Sequence, residues 1–190
     1  PQLPLKSAID SALLNSGWNN IKLLGDNKII KNKLVGLNFG AIAKGYAVDK
    51  TIDVLRKFEI KEALVNAGGE ISTIGNDWIV GIQHPREINS IIKKIKLNGN
   101  TVATSGDYEQ YFEVDGKRYH HILDPKIGYP STGLQSVTII NKSNTIADAL
   151  ATAVFVMGQE RGIKLIEVLD DTEAMIVDAE GKIIYSSGFE

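Results

Sequence analysis

Apolar residues recur with two different periods along this chain, and the shorter period dominates. Residues 21–32 (IKLLGDNKIIKN) read as a hairpin with turn chemistry at Gly25 to Asn27. KLVGLNF, 33–39, reads as a strand running into a glycine. EALVNAGGEISTIG, 62–75, reads as strand, Gly-Gly turn, strand. DWIVGIQHP and SIIKKIKL alternate like half-buried strands, and NGN (98–100) carries a hairpin-turn signal ahead of TVATSG. YFEVDGKRYHHI is a second hairpin around Asp115-Gly116, LQSVTII a further strand, and EAMIVDAEGKIIYS a last hairpin turning near Gly181.

Helical spacing appears in four places. Residues 5–18 place Leu5, Ile9, Ala12 and Leu13 near one face, with Gly17 as a stop. Residues 40–58 place Ala43, Tyr46, Ala47, Val54, Leu55 and Phe58 together. TIADALATAVFVMG is apolar nearly all round, which predicts a buried helix closed by Gly158. QERGIKLIEVLDD, 159–171, predicts an amphipathic one. Strands in hairpins with interspersed helices imply an α+β fold: antiparallel sheet with helices packed against it. No linker, repeat or low-complexity stretch divides the 190 residues.

Composition narrows the function classes. Hydrophobic residues make up 43% and charged residues 23%, as in ordinary globular domains. A net charge of -2 offers no basic footprint for nucleic acid. The absence of cysteine excludes disulfides, thiolate metal sites and thiol catalysis without fixing a compartment. No apolar run approaches the ~20 residues of a membrane helix. The chain opens mid-pattern at PQLPLKS, which leaves room for an upstream segment removed by processing.

Four stretches hold candidate chemistry. In NFGAIAKG a strand enters a glycine and a helix starts, with Lys44 in or near the first turn. Free N–H groups and a lysine together favour an anion such as phosphate, although a solvated lysine explains the pattern too. In TIADALAT, Asp148 and Thr152 are four apart and share a helix face among apolar neighbours. A buried carboxylate needs a partner, and a bound cation is one; Mg²⁺ takes few protein oxygens. Alternatively, with Thr145 as N-cap, Asp148 is close to a capping box. In RYHHILDP one of His120 and His121 faces inward and the other outward, because strand neighbours alternate. Either a general base or two structural histidines fits that alternation. NAGGE reads as an ordinary turn, and His84, before Pro85, has no assigned role.

In order, NFGAIAKGYAVDK, LVNAGGEISTIG, VATSGDYEQYFEVDGKRYHHILDPKIGYP and SVTII…ADALATAVFVMG resemble the ApbE-like family, the FAD:protein FMN transferases. The resemblance runs from about residue 20 to the last hairpin. It implies binding of FAD and Mg²⁺, cleavage of the pyrophosphate, transfer of FMN to a threonine or serine hydroxyl of an acceptor protein, and release of AMP. Some members hydrolyse FAD to FMN and AMP instead. The acceptors it implies are subunits of redox complexes. The location it implies is outside the bacterial cytoplasmic membrane, on an upstream lipid anchor.

Matched residue by residue, Asp148 and Thr152 fall on the family's metal ligands in Asp-Ala-x-x-Thr. Ala41 falls on a position that contacts the metal, here through its backbone carbonyl. Lys44 matches a cofactor-contacting position in Gly-x-x-x-Lys-Gly, and Leu123 one beside the cofactor in His-x-x-Asp-Pro. His121 opens that run and is the candidate base. Asn38 stands where the family usually has Asp and keeps only a neutral oxygen for the cofactor. The family also carries a further segment, roughly a third of its length, before this point. The expectation is therefore one ApbE-like domain over 1–190 without that segment, for which a flavin-binding module or an inactive fragment is a third reading.

Overall fold

Alternation along a strand gives it two faces, and the central strands here bury both. The structure is a computed structural model and describes residues 2–189. The first half of the chain holds α1 (Lys6–Leu14), β1 (Ile21–Gly25), β2 (Lys28–Lys31), α2 (Ala43–Lys57), β3 (Ala63–Ala67), β4 (Glu70–Ile74), β5 (Trp78–Gln83) and β6 (Ile91–Leu97). The second half holds β7 (Thr101–Gly106), β8 (Tyr111–Val114), β9 (Lys117–His120), β10 (Leu134–Asn141), α3 (Asn144–Met157), α4 (Gln159–Ile166), β11 (Glu173–Asp178) and β12 (Ile183–Tyr185).

Six strands form one antiparallel sheet in the order β12-β11-β10-β7-β4-β3. Ala103, Val137, Ile139, Ala174 and Ile176 point to one face and pack beneath α3 and α4 against Val154, Phe155 and Ile166. Their strand neighbours Val102, Met175 and Val177 point to the other face, against Val80, Ile82, Ile95 and Leu97 of the β5–β6 hairpin. The result is three layers, helices over sheet over hairpin, which is the α+β arrangement that the pattern predicts. Hairpins β1–β2 and β8–β9 stand as separate ribbons. Asp115 and Gly116 both take positive φ (51° and 72°), as a two-residue hairpin turn requires.

Helices α2 and α3 cross at a glycine. A Cβ on Gly45 would lie 2.8 Å from the Asp148 Cβ and closer still to the Asn144 carbonyl. One turn later Asp49 reaches the start of α3. It accepts from the backbone N–H of Asn144 (2.8 Å) and Thr145 (2.9 Å) and from the hydroxyls of Ser143 (2.7 Å) and Thr145 (2.6 Å). A carboxylate at a helix N-terminus satisfies orphan donors and complements the dipole.

Several expectations are corrected. Residues 33–39 form no strand: after β2 the chain turns on itself, with Val35 N–H on the Asn32 carbonyl and Lys31 Nζ on the Val35 carbonyl. NGN is not a hairpin turn. β6 pairs with β5 while β7 pairs with β4 and β10, so 98–100 is a corner between layers. The buried face of α2 is Gly45, Val48 and Ile52; Tyr46 and Phe58 are exposed (55% and 76%), because the close approach at Gly45 sets the helix rotation. Helices α1 and α4 end earlier than predicted, at Leu14 and Ile166. The N-cap of α3 is Ser143, which places Asp148 beyond the capping-box position.

Removing the Asp49 carboxylate should therefore loosen α3. Asp49→Ala is expected to cost about 2 kcal/mol in urea denaturation at neutral pH, the upper end for a lost cap. Burial disfavours the charge of Asp49, but the bonds from Thr145, Ser143 and Asn144 outweigh this and hold its pKa below the usual carboxylate value. The contribution is thus full above the unfolded pKa of about 3.9 and fades as pH falls through the depressed folded one, so parent and variant converge in acid.

Candidate active site

A cleft of about 480 Å³ opens where the start of α2, the middle of α3 and the segment after β9 converge. Asn38, Ala41, Lys44, His121, Leu123, Asp148 and Thr152 all line it. The positions singled out from sequence, 38 to 152, are thus gathered at one place.

Lys44 is the second residue of α2, whose first turn has no side-chain cap. The Asn38 side chain turns back to accept from Gly40 N–H (2.7 Å) and so shapes the approach to that helix. The anion beside Lys44 is the protein's own: its ammonium lies 2.7 Å from Glu70, which is only 1% exposed. Burial disfavours the lysine's charge, yet the bond to Glu70 outweighs it and holds the ammonium above its usual value. Burial pushes Glu70 above the carboxylate range, with Lys44 offsetting part of the rise. The Glu70 Oε2 is buried with no hydrogen-bond partner among the described residues.

Asp148 is 4% exposed and accepts one backbone bond, from Gly45 N–H at 2.9 Å. Among the described residues no basic side chain forms an ion pair with it. A buried carboxylate held by one neutral donor is short of positive charge. One turn along α3, Thr152 Oγ1 lies 3.0 Å from Ser105 Oγ of β7. No cluster of three His, Asp or Glu side chains suited to a metal occurs among the described residues. A cation here would draw on carboxylate, hydroxyl and carbonyl oxygens, a donor set that suits Mg²⁺.

The two histidines part as strand alternation requires. His120 is buried; its Nδ1 accepts from Ile122 N–H (3.3 Å), so Nε2 carries the proton and donates to the Ser131 carbonyl at 2.9 Å. Burial lowers its pKa, which keeps the ring neutral and structural. His121 is exposed to the cleft. Its Nδ1 donates to the Gln110 carbonyl (3.2 Å), which leaves the Nε2 lone pair free in the neutral ring. His84 serves a turn, its Nδ1 accepting from the backbone of Arg86 and Glu87.

Sequence reasoning missed Glu70, Ser105 and Glu109, which also line the cleft. Glu109 is raised by burial, with Lys44 and His121 drawing it back and Asp148 adding to the rise. Glu70 follows the Gly-Gly turn that reads as plain structure, and only the β3–β4 fold brings it under Lys44. Two glycines followed by an acid that is not needed for the turn were the available signal.

The Lys44–Glu70 pair is open to a direct test. Lys44→Met should cost about 3 kcal/mol, the low end for a broken buried pair, because Lys44 is half exposed. Adding Glu70→Gln should recover most of it. Without Lys44 the folded pKa of Glu70 rises further, so the electrostatic part of the loss is absent in acid, where Glu70 is protonated in both proteins, and grows as pH rises above the raised folded pKa of the parent. Urea denaturation across pH reads both effects.

Comparison with known proteins identifies the family. The ApbE family matches residues 1–176. An FAD:protein FMN transferase of Klebsiella pneumoniae is 42% identical over 153 residues, covering 80% of this chain and 48% of that protein. The crystal structure of the ApbE protein of Thermotoga maritima superposes with a TM-score of 0.88 at 40% identity, covering 98% of this chain and 63% of that one. The flavin transferase ApbE of Vibrio cholerae gives 0.85 at 30% identity, covering 99% of this chain and 62% of that one. The chain spans about half the length of the curated relatives it matches. By family match, identity and superposition, this chain belongs to the ApbE family.

Proposed function

We propose that this chain carries the reacting half of an FAD:protein FMN transferase: Mg²⁺-dependent transfer of FMN from FAD to a threonine or serine hydroxyl of an acceptor protein, with release of AMP. One observation carries the reading. The charge-deficient Asp148, the Lys44 ammonium and the free Nε2 of His121 share one cleft with Asn38, Leu123 and Thr152. The names of the relatives supply the substrate class.

In this reading the acceptor hydroxyl oxygen attacks the flavin-side phosphorus. The bond from that phosphorus to the bridging oxygen breaks, and AMP leaves with the electron pair. The hydroxyl proton passes to His121 Nε2, whose ring the Gln110 carbonyl orients through Nδ1. A base so placed is worth about 10² to 10⁴ in rate. Lys44 supplies positive potential at the pyrophosphate, and Glu70 fixes its ammonium in the cleft. Leu123, half exposed, presents apolar surface to the cofactor, and Asn38 a neutral amide. Asp148, Thr152 and the Ala41 carbonyl would hold Mg²⁺, which when bound neutralises pyrophosphate charge. The acceptor is a redox-complex subunit in this reading, met outside the bacterial cytoplasmic membrane by a lipid-anchored protein.

Titrating FAD with and without Mg²⁺, while following flavin fluorescence and AMP, tests the reading. Asp148→Ala should lower Mg²⁺-dependent AMP release at least about 10²-fold, and His121→Ala by about 10² or more. An FMN mass on an acceptor protein identifies transfer, and AMP with free FMN identifies hydrolysis. An Asp148→Ala variant as active as the parent at limiting Mg²⁺ overturns the assignment.

A further inference from the structure

A second, larger cleft of about 830 Å³ lies beside the first. It runs between the β5–β6 hairpin and the β4–β7 centre of the sheet and opens past the β3–β4 turn. Thr104, Glu109 and Gln110 line both clefts, so the two meet within the loop that orients His121. None of the roles assigned above to FAD or the cation uses the rest of this second space.

Its walls have a consistent chemistry. The floor is apolar, with Ile71, Val80 and Ile82. The mouth is bare backbone: a Cβ on Gly68 or Gly69 would meet nothing within 4 Å. The rim carries carboxamides. Asn66 uses its Oδ1 to accept from Gly69 N–H, which leaves its Nδ2 to donate, and Gln83 is exposed at the end of β5. Tyr108 folds back over Gly106, where a Cβ would strike its ring, and closes the inner wall. Carboxamides that both donate and accept match the groups of an extended peptide backbone, and an apolar floor takes its alternate side chains.

A hydroxyl on a serine or threonine stands only a bond or two from its main chain. To reach His121 it must bring that main chain into a groove that ends there. We infer that the second cleft receives an extended segment of the acceptor polypeptide, with its hydroxyl residue at the Glu109–Gln110 boundary. The inference rests on the transferase reading for the identity of its ligand, and its geometry rests on the cleft itself.

The test is an amide-resolved NMR titration of the chain with a pool of short synthetic peptides, each centred on threonine. Shifts are expected at Gly68, Gly69, Gly81 and Gln83. Gln83→Trp, which fills the rim, should weaken the apparent affinity by about tenfold or more, and the milder Gln83→Ala by a few-fold. Unshifted resonances of β10 and β11 report that each variant is folded. Absence of shifts, shifts confined to another surface, or affinity unchanged in both variants overturns the acceptor groove. A separate titration with FAD and Mg²⁺ reads the amides of Lys44 and Gly45. Their silence counts against the transferase reading, whatever the peptides do.

Discussion

Helices α2 and α3 touch where α2 has no room for a side chain. Gly45 sits against Asn144 and Asp148 so closely that any Cβ would force the helices apart. The same contact turns a backbone N–H of α2 onto the Asp148 carboxylate, sets Lys44 beside the cleft, and brings Asp49 over the first turn of α3. One steric constraint thus fixes three electrostatic relations. It also sets the rotation of α2, which is why Tyr46 and Phe58 face outward in spite of their helical spacing with apolar neighbours.

The sheet gives this crossing its platform. Because β7, β10 and β11 bury both faces, helices on one side and the β5–β6 hairpin on the other are fixed relative to one another. The loop after β7 passes between those layers. Arg86 of the β5–β6 connection holds Asp107 in that loop through two bonds of 2.7 Å, and Arg118 of β9 lies 3.5 Å from the same carboxylate. A bidentate, partly buried pair of this kind resists rotation. Glu109 and Gln110 follow directly, so their placement between the two clefts derives from two separate ribbons that close on one aspartate.

Local chemistry was legible in the sequence, and long-range chemistry was not. Hairpins with Asp-Gly or Gly-Gly turns, the apolar α3 and the inward–outward split of His120 and His121 all follow from periods of two and 3.6. Local chemistry singled out Lys44, Asp148, Thr152 and the histidine pair, but a family resemblance was needed to add Asn38, Ala41 and Leu123 and to prefer a ligand over a cap in TIADALAT. What failed were inferences that needed a partner to be known. The stretch 33–39 has strand composition and pairs with no strand among the described residues, and NGN has turn chemistry and serves a corner. Glu70 escaped notice because its importance comes from Lys44, 26 positions earlier and meaningless until β3 and β4 fold back.

Asp49 and the start of α3 are 94 to 96 residues apart in sequence. A helix commonly carries its cap within its own first residues; here most of the capping arrives from another part of the chain. The loop joining them must close before the cap forms, at an entropic cost that local capping avoids. The start of α3 is therefore completed only when α2 has docked against it. The cleft is built on the same crossing, so any local opening that parts α2 from α3 uncaps the helix and dismantles the cleft together.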